Sequence, residues 1–549
     1  MTWAVPPVDR EQLVLFPTAL DDIIPEDHLV RVVDEILRSL DWSKFEAEYH
    51  GTLGARPIHP RVLAAVILYG HLTRVRSSRQ LEAALWCRVD FRWLAEGWQM
   101  DHSTLSNFRK DFGELLQGIN VQFGVLAYQL GVTTLTQFGF DGTRLRASNR
   151  RQRSVAVEKL GEIERQLQQT FAELEQQVAA ADVLDEEQLG GASLHRVSQD
   201  LAKTKNRLAA VRRAQAEIDR VKAASAAVPK RIPLTDPESR ITPNKEGGFA
   251  PNDTPLANVD LESGLILDDD VIQNTDEEQY LSASLEALEE RFKAAGLTQK
   301  VETLTADGKF VTGPNLEALA ARKTTFYGPI APQPEIVKRA DGRVPIPAEH
   351  WSQLPTSLVK AGTNGQPDQR QLAKEAFLYD EPANCYWCPL GKPLSYTGTT
   401  SETLKGTQRR VQRQRYASEA SACESCPLRA KCLKGTGAQR TLSRDQYDSH
   451  REALRERMTS EESKQHLQTR QSEGERPFAV VKQLMGLRQL LLRGLANVKT
   501  EWRWAVSSAN LLVMVRWVRS RARVSGSLRS LRTSPPGLGA RASPALVGP

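Results

Sequence analysis

Two aspartates each stand where a predicted strand stops and a glycine follows. Leu135-Thr-Gln-Phe-Gly-Phe-Asp141 runs into Gly142, and Val301-Glu-Thr-Leu-Thr-Ala306 into Asp307-Gly308. In an open α/β sheet, strand ends are where ligand groups converge. Two carboxylates there could share divalent cations, and a third from a helix would complete an oxygen site suited to magnesium. Such a two-metal site activates a water or a 3′-hydroxyl and stabilises the leaving oxygen of a phosphodiester. Asp-Gly is also a common turn dipeptide, so each pair by itself also fits an ordinary turn.

The third carboxylate is expected on the late helices, where Glu473, Glu475 and Glu501 are the candidates. Glu475 is favoured because Lys482 lies seven residues on, two helical turns away on one face. A lysine there could meet a phosphate beside the metal-bound one. Arg470, five residues before Glu475, would add a second cationic contact. The alternative is a solvated charge pair on a helix surface.

A second constellation is built from cysteine. Cys423-x2-Cys426 and Cys432 lie close together, and Cys385-x2-Cys388 precede them. Four thiolates around tetrahedral zinc make a closed, structural site. Five are available: Cys388 is taken as the fourth ligand, with Cys385 the alternative. Five reduced thiols are the competing reading. Cys87, inside a predicted helix, is read as core. Six cysteines in 549 residues exclude a disulfide scaffold.

These groups need a scaffold. Residues 1–125 read as helical, with Leu29, Val32, Val33 and Ile36 on one face. His59-Pro60 opens a second helix, and Asp101 caps another that carries Arg109 and Lys110. With Arg74, Arg76 and Arg79, these cations fit a helix-turn-helix-like DNA-binding unit or a solvated helical domain. Leu160, Ile163, Leu167 and Leu174, then Leu201, Leu208, Val211 and Ile218, keep heptad-like spacing and predict an antiparallel helical hairpin. Ala257–Asp260 and Leu265–Ile272 flank Glu262-Ser-Gly264, a β-hairpin signal. Helices are predicted over Glu277–Ala294 and Asn315–Arg322.

The predicted organisation is therefore mixed α/β. Residues 1–125 form a helical N-terminal DNA-binding or assembly domain. Residues 126–154 and 229–340 form the α/β core, split by the hairpin insertion at 155–228. A Cys-rich metal-binding insertion follows at 341–446, C-terminal core helices at 447–520, and a basic tail at 521–549.

Composition bounds the rest. The chain is 40% hydrophobic and 26% charged, which excludes wholesale disorder. The apolar run Leu511–Val518 is broken by Arg516 and is too short for a bilayer of roughly 30 Å. No membrane partner and no secretory signal are expected, so the chain is read as soluble and cytoplasmic. Net charge is only +6. No acidic residue follows Glu501, whereas Arg503, Arg516, Arg519, Arg521, Arg523, Arg529, Arg532 and Arg541 do. That asymmetry suits phosphate contact or a solvated disordered tail.

Taken in order, the motifs resemble those of bacterial insertion-sequence transposases of the DDE class, in the 1182-type branch of the IS5-like group. Ile58-His-Pro-Arg61, Ser77-Ser-Arg-Gln-Leu-Glu82 and Ser103–Arg109 resemble the family's helical N-terminal domain. Phe140-Asp-Gly-Thr-Arg-Leu-Arg-Ala147 and Thr305-Ala-Asp-Gly308 resemble its aspartate motifs. Thr235-Asp-Pro237, Arg240, Lys245–Gly248 and Asn252 resemble the segment between them. Asn384–Cys388 with Cys423, Cys426 and Cys432 resembles its cysteine-rich insert. Glu475-Arg-Pro-Phe478, Lys482, Leu492-Arg-Gly494, Glu501-Trp502 and Asn510-Leu511 resemble its final motif. Lys309-Phe310, Arg476 and Ala479 depart from the family pattern.

The resemblance implies an RNase-H-like catalytic core with the triad Asp141, Asp307 and Glu475 holding magnesium or manganese. It implies DNA contacts from Lys482, Arg470 and Arg109, and structural zinc on Cys388, Cys423, Cys426 and Cys432. The implied partner is double-stranded DNA, both the element's terminal inverted repeats and the target, bound by a homodimer or larger assembly at the bacterial nucleoid. The implied activity is metal-dependent cleavage and strand transfer. The rivals are a nuclease without strand transfer and a catalytically decayed DNA-binding protein.

Overall fold

The helical face expected from Leu29, Val32, Val33 and Ile36 forms α1 (Leu29–Arg38), with Val32, Val33 and Ile36 buried. Pro60 sits at the start of α2 (Pro60–Leu72), where its missing N–H costs nothing. Ser77 and Gln80 form a capping box on α3 (Ser78–Cys87). Asp101 caps α4 (His102–Asp111) by accepting from the Thr104 N–H, and α5 (Leu116–Gln129) follows. Cys87 is exposed and not core, because it closes α3 on the side away from buried Leu81, Ala84 and Leu85. A computed structural model describes residues 19–525 of the chain. Within that span, residues 50–56, 150–152, 184–190, 225–227, 245–246, 275, 333–336, 338–343, 353, 355–357, 361–370, 404–409 and 434–436 fall outside the description. Of the basic tail predicted at 521–549, residues 521–525 continue a helix and 526–549 lie outside the described residues, as does part of the Lys245–Gly248 motif.

The main sheet is mixed. Its strands are β1 (Gln137–Gly142), β2 (Leu145–Arg146), β3 (Arg240–Pro243), β4 (Phe249–Asp260), β5 (Ile266–Ile272), β6 (Thr303–Ala306) and β7 (Thr325–Tyr327). β5 pairs antiparallel with β4, β4 antiparallel with β1, β1 parallel with β6, and β6 parallel with β7. The β4–β5 hairpin turns at Glu262-Ser-Gly264 as expected, though β4 starts eight residues earlier than Ala257. The central strands are buried, and α8 (Leu281–Ala294) packs Leu285, Leu288 and Phe292 into the same core as Phe138. Helix α9 (Gly313–Ala321) forms the crossover between β6 and β7.

The segment between β2 and β3 forms α6 (Leu160–Val183) and α7 (Gly191–Ala223), and Leu160, Leu167, Leu208, Val211 and Ile218 bury one another at heptad-like spacing. The Cys-rich region builds a second sheet that periodicity had not revealed. Its order is β8 (Leu378–Asp380), β9 (Cys385–Trp387), β10 (Pro393–Thr403), β11 (Arg410–Ser418) and β12 (Thr441–Asp445), all antiparallel. The C-terminal helix α10 (Leu495–Ser525) runs through the interior and joins α1, α2 and α5 to the main sheet. Trp502, Trp504, Ser507, Ser508 and Asn510 are all buried on it. Among the described residues no helix is long and apolar enough to cross a membrane.

Candidate active site

Register alone brings the two aspartates together. Phe140 pairs with Ala306 across the parallel β1–β6 ladder, so the next residues along are Asp141 and Asp307. Asp141 is the penultimate residue of β1. Asp307 caps the short turn Gly308–Phe310 by accepting from the Lys309 N–H. Phe310 of that turn packs edge-on against Phe140, with centroids 5.1 Å apart, which fixes the Asp307 loop to the Asp141 strand.

The third element is a distorted helix. It begins at Glu461 and passes through two π turns, Arg470–Gly474 and Val480–Leu484, either side of a short α segment Arg476–Ala479. A π turn places residues five apart on one face. Arg470 and Glu475 accordingly meet, Nη1 to Oε1 at 3.8 Å. The helix approaches β1 closely at two small residues. A Cβ on Gly139 would stand 3.9 Å from the Gly474 Cα and 3.0 Å from Leu261.

The result is a cleft of about 490 Å³ whose lining includes Asp141, Thr143, Arg144, Arg146, Glu475, Lys482 and Arg488. Burial pushes the Asp141 carboxyl up to about 6. The Arg470 guanidinium pulls it down, and the charges of Asp307 and Glu475 raise it further. Arg470 Nη2 lies 3.3 Å from Asp141 Oδ2. Lys482 donates to the Thr143 hydroxyl. Among the described residues, no group of three or more His, Cys, Asp or Glu stands ready to hold a metal ion. At the carboxylates a guanidinium bridges Asp141 and Glu475, so a protein cation occupies that space.

The competing glutamates lie elsewhere. Glu501 is buried and accepts from the Leu491 and Leu492 N–H groups and from Arg76, so it holds the 485–494 loop. Glu473 pairs with Arg476 at 3.1 Å and faces a neighbouring groove beside Glu262 and Trp517. Arg109 does not reach a surface. It is 7% exposed, and burial beside Arg76 holds its pKa down despite the Glu501 charge. Arg74 and Arg76 are also engaged, donating to the carbonyls of Leu484 and Gly486. These cations dock the N-terminal helices onto the C-terminal loop.

Sequence reasoning passed over one acid. Glu277, at the turn before α8, is buried and pairs with Lys309 at 2.6 Å. Its carboxylate also lies where a Cβ on Gly142 would stand. Glu277 thus joins the residue after Asp141 to the turn after Asp307. Its signal was weak, because Glu277 sits in a run of acidic residues that reads as a solvated helix start.

In the second sheet, Cys388, Cys423, Cys426 and Cys432 line one small cavity, and Cys385 is not among its lining residues. Cys385 is buried on β9, opposite Ser395 of β10. Burial and the neighbouring thiols push Cys432 up to about 11, and Cys388 shifts the same way. The Cys388 sulfur accepts from the Lys392 N–H, and Cys423 contacts the Ser418 hydroxyl.

Compared with known families, residues 387–515 match the model of the transposase DDE domain, and residues 18–111 match a second transposase domain, DUF772. By these matches the chain carries two transposase domains, a DDE domain and a DUF772 domain. The first match takes in Glu475 and Lys482 of the cleft, Arg470 beside them, and the four cavity cysteines. Asp141 and Asp307 lie between the two matched segments. A search of curated proteins and one of solved structures return no match.

Proposed function

We propose that this transposase binds the ends of its own insertion sequence and catalyses metal-dependent DNA cleavage and strand transfer, with Asp141, Asp307 and Glu475 as its acidic triad. The observation that carries the reading is the adjacency of Asp141 and Asp307 on parallel strands, with Glu475 lining the same cleft as Asp141. The strand order β5-β4-β1-β6-β7, with only β4 antiparallel to its neighbours, supports an RNase-H-like core. The 1182-type branch rests on the motif resemblance.

The donor set suits magnesium or manganese: three carboxylates and no thiol or imidazole. Bound there, paired divalent cations would activate the attacking oxygen and stabilise the leaving one. Asp141, held up by burial and by its acidic neighbours, would be stabilised in its charged form by an added cation. Lys482 and Arg470 orient flanking phosphates. Arg144, Arg146 and Arg488 extend the same cationic wall along the cleft. Thr143 holds the Lys482 ammonium within the cleft.

Cys388, Cys423, Cys426 and Cys432 hold a structural zinc in this reading. A bound cation would offset the burial that, with the neighbouring thiols, pushes Cys388 and Cys432 up. Two DNA ends must be held together, so the working assembly is at least a dimer, acting on chromosomal DNA at the nucleoid. The test is cleavage of a duplex carrying the gene's own flanking sequence, with and without magnesium. Loss of cleavage in Asp141→Asn, Asp307→Asn and Glu475→Gln supports the triad.

A further inference from the structure

Charged side chains are buried where the N-terminal helices meet α10. His71 lies in the last turn of α2, Arg76 just beyond it, Arg109 in the last turn of α4, and Glu501 near the start of α10. One pair among them is complete. Arg76 Nη2 stands 3.1 Å from Glu501, and the same guanidinium donates to the carbonyls of Gly486 and Gln489. Glu501 also accepts from the Leu491 and Leu492 N–H groups.

Arg109 and His71 have no such partners. Arg109 is 7% exposed, yet among the described residues its side chain makes no hydrogen bond and no ion pair, and Nε and Nη2 are buried without an acceptor. His71 is 2% exposed, and both of its ring nitrogens are equally unmet. Arg76 Nε is a further buried N–H with no partner. The groups are neighbours. Burial first, then the Arg109 and Arg76 charges, press the His71 ring well below its usual pKa and keep it neutral. The Trp504 indole donates to the Arg109 carbonyl at 2.9 Å and pins α4 against α10.

The charges do not balance. Arg76 and Arg109 face the single carboxylate of Glu501, and the neutral imidazole adds nothing. Buried charges are paired, and buried donors find acceptors. The unmet groups here are donors: Arg109 Nε and Nη2, Arg76 Nε and one imidazole N–H. A water would take those N–H groups and leave the charge. The missing partner is an acceptor with one negative charge, small enough to sit among closely packed side chains.

We propose that this junction binds a single halide-sized anion, chloride in solution, held by the Arg109 guanidinium together with Arg76 Nε and the His71 ring. A monatomic anion accepts N–H groups from several directions at once, as three separate side chains require. It ties α4 to α2 and to α10. Through Arg76 it also braces the loop that carries Arg488 into the cleft. The site stands apart from the acidic triad and from the transposase reading, since it needs neither DNA nor a divalent metal.

The experiment compares thermal unfolding of the full chain in about 0.15 M sodium chloride and in sodium gluconate of equal ionic strength, at one pH. An anion that binds only the folded state stabilises it by mass action. The melting temperature should be higher in chloride by about 2 °C or more. Gluconate is too large to enter, and exclusion from the protein surface works in the opposite direction. Crystals soaked in bromide should show an anomalous peak against Arg109 Nε and Nη2. Arg109→Met keeps most of the bulk, removes the charge, and should erase the chloride increment. The peak is read on wild type, so the test survives a variant that fails to fold. Equal melting temperatures in the two salts overturn the site. So does an increment of wild-type size in Arg109→Met, or bromide that leaves the junction empty.

Discussion

Arg470 spans Asp141 and Glu475, with Nη2 3.3 Å from the first carboxylate and Nη1 3.8 Å from the second. The guanidinium is 11% exposed and serves as the counter-ion of the Asp141 and Glu475 carboxylates. A divalent cation must share or displace it. Arg470→Ala is therefore expected to bind manganese several-fold more tightly than wild type, as followed by paramagnetic resonance. Equal or weaker binding would show that Arg470 does not compete for the site.

Glu277 and Lys309 lock the two aspartate-bearing turns together. Gly142→Ala would drive a methyl group into the Glu277 carboxylate, which must move away from Lys309. A loss of about 1–3 kcal/mol is expected, as for overpacking in a core. Glu277→Ala leaves the Lys309 ammonium without its buried partner and should cost a similar amount. Denaturant unfolding checks both, and a neutral Gly142→Ala would contradict the arrangement.

Asp253 supplies a pH test away from the triad. It is 2% exposed, one carboxylate oxygen has no partner, and burial with the Asp236 charge pushes it up to about 7. Its folded value lies above the unfolded value of about 3.9, so the folded state holds the proton more tightly. The associated stability is full below about pH 4 and is lost as pH rises through 7. Asp253→Asn removes that loss. It should be more stable than wild type at pH 8, by up to about 4 kcal/mol, and no more stable at pH 4. Thermal melts at both values decide it, and a gain independent of pH would contradict the account.

The cysteine cavity distinguishes neighbouring thiols. Cys388→Ser and Cys426→Ser should lose protein-bound zinc, measured by elemental analysis, and Cys385→Ser should keep it. Retention of full zinc by Cys388→Ser together with its loss by Cys385→Ser would reverse the choice. No zinc in wild type would remove the metal from this fold.

Arg109 is expected to matter for stability and not for DNA. Its side chain is enclosed by His71, Arg76 and Glu501, and the Trp504 indole donates to its carbonyl. Arg109→Ala should lower the melting temperature and leave the salt dependence of DNA binding unchanged. A flattened slope with normal stability would restore it to the DNA surface.

Much of the scaffold was legible because it depends on local pattern. The capping residues Ser77 and Asp101, the heptads around Leu160 and Leu208, and the Glu262–Gly264 turn all announce themselves within a few residues. The pairing of Asp141 with Asp307 was legible as two similar strand ends, but their adjacency depends on a parallel register between strands 166 residues apart in sequence, counted from Asp141 to Asp307. Arg109 was misread because a cation in a helix says nothing of which face packs inward. Its face meets α10, nearly 400 residues later. The second sheet was missed because proline, glycine and polar residues mask the alternation of β10 and β11, whose outer halves bury Val411 alone among the described residues. Glu277 was passed over because its partner is a lysine that departs from the family pattern.

The most direct test of the central claim is excision and joining in cells, with the gene's own flanking DNA placed around a marker and the protein supplied in trans. Asp141→Asn, Asp307→Asn and Glu475→Gln should each abolish excision, while Glu473→Gln retains it and all four proteins accumulate to wild-type levels. Undiminished excision in Asp141→Asn or Asp307→Asn would contradict the account outright. Activity that survives Glu475→Gln but falls with Glu473→Gln would move the third carboxylate to the neighbouring groove.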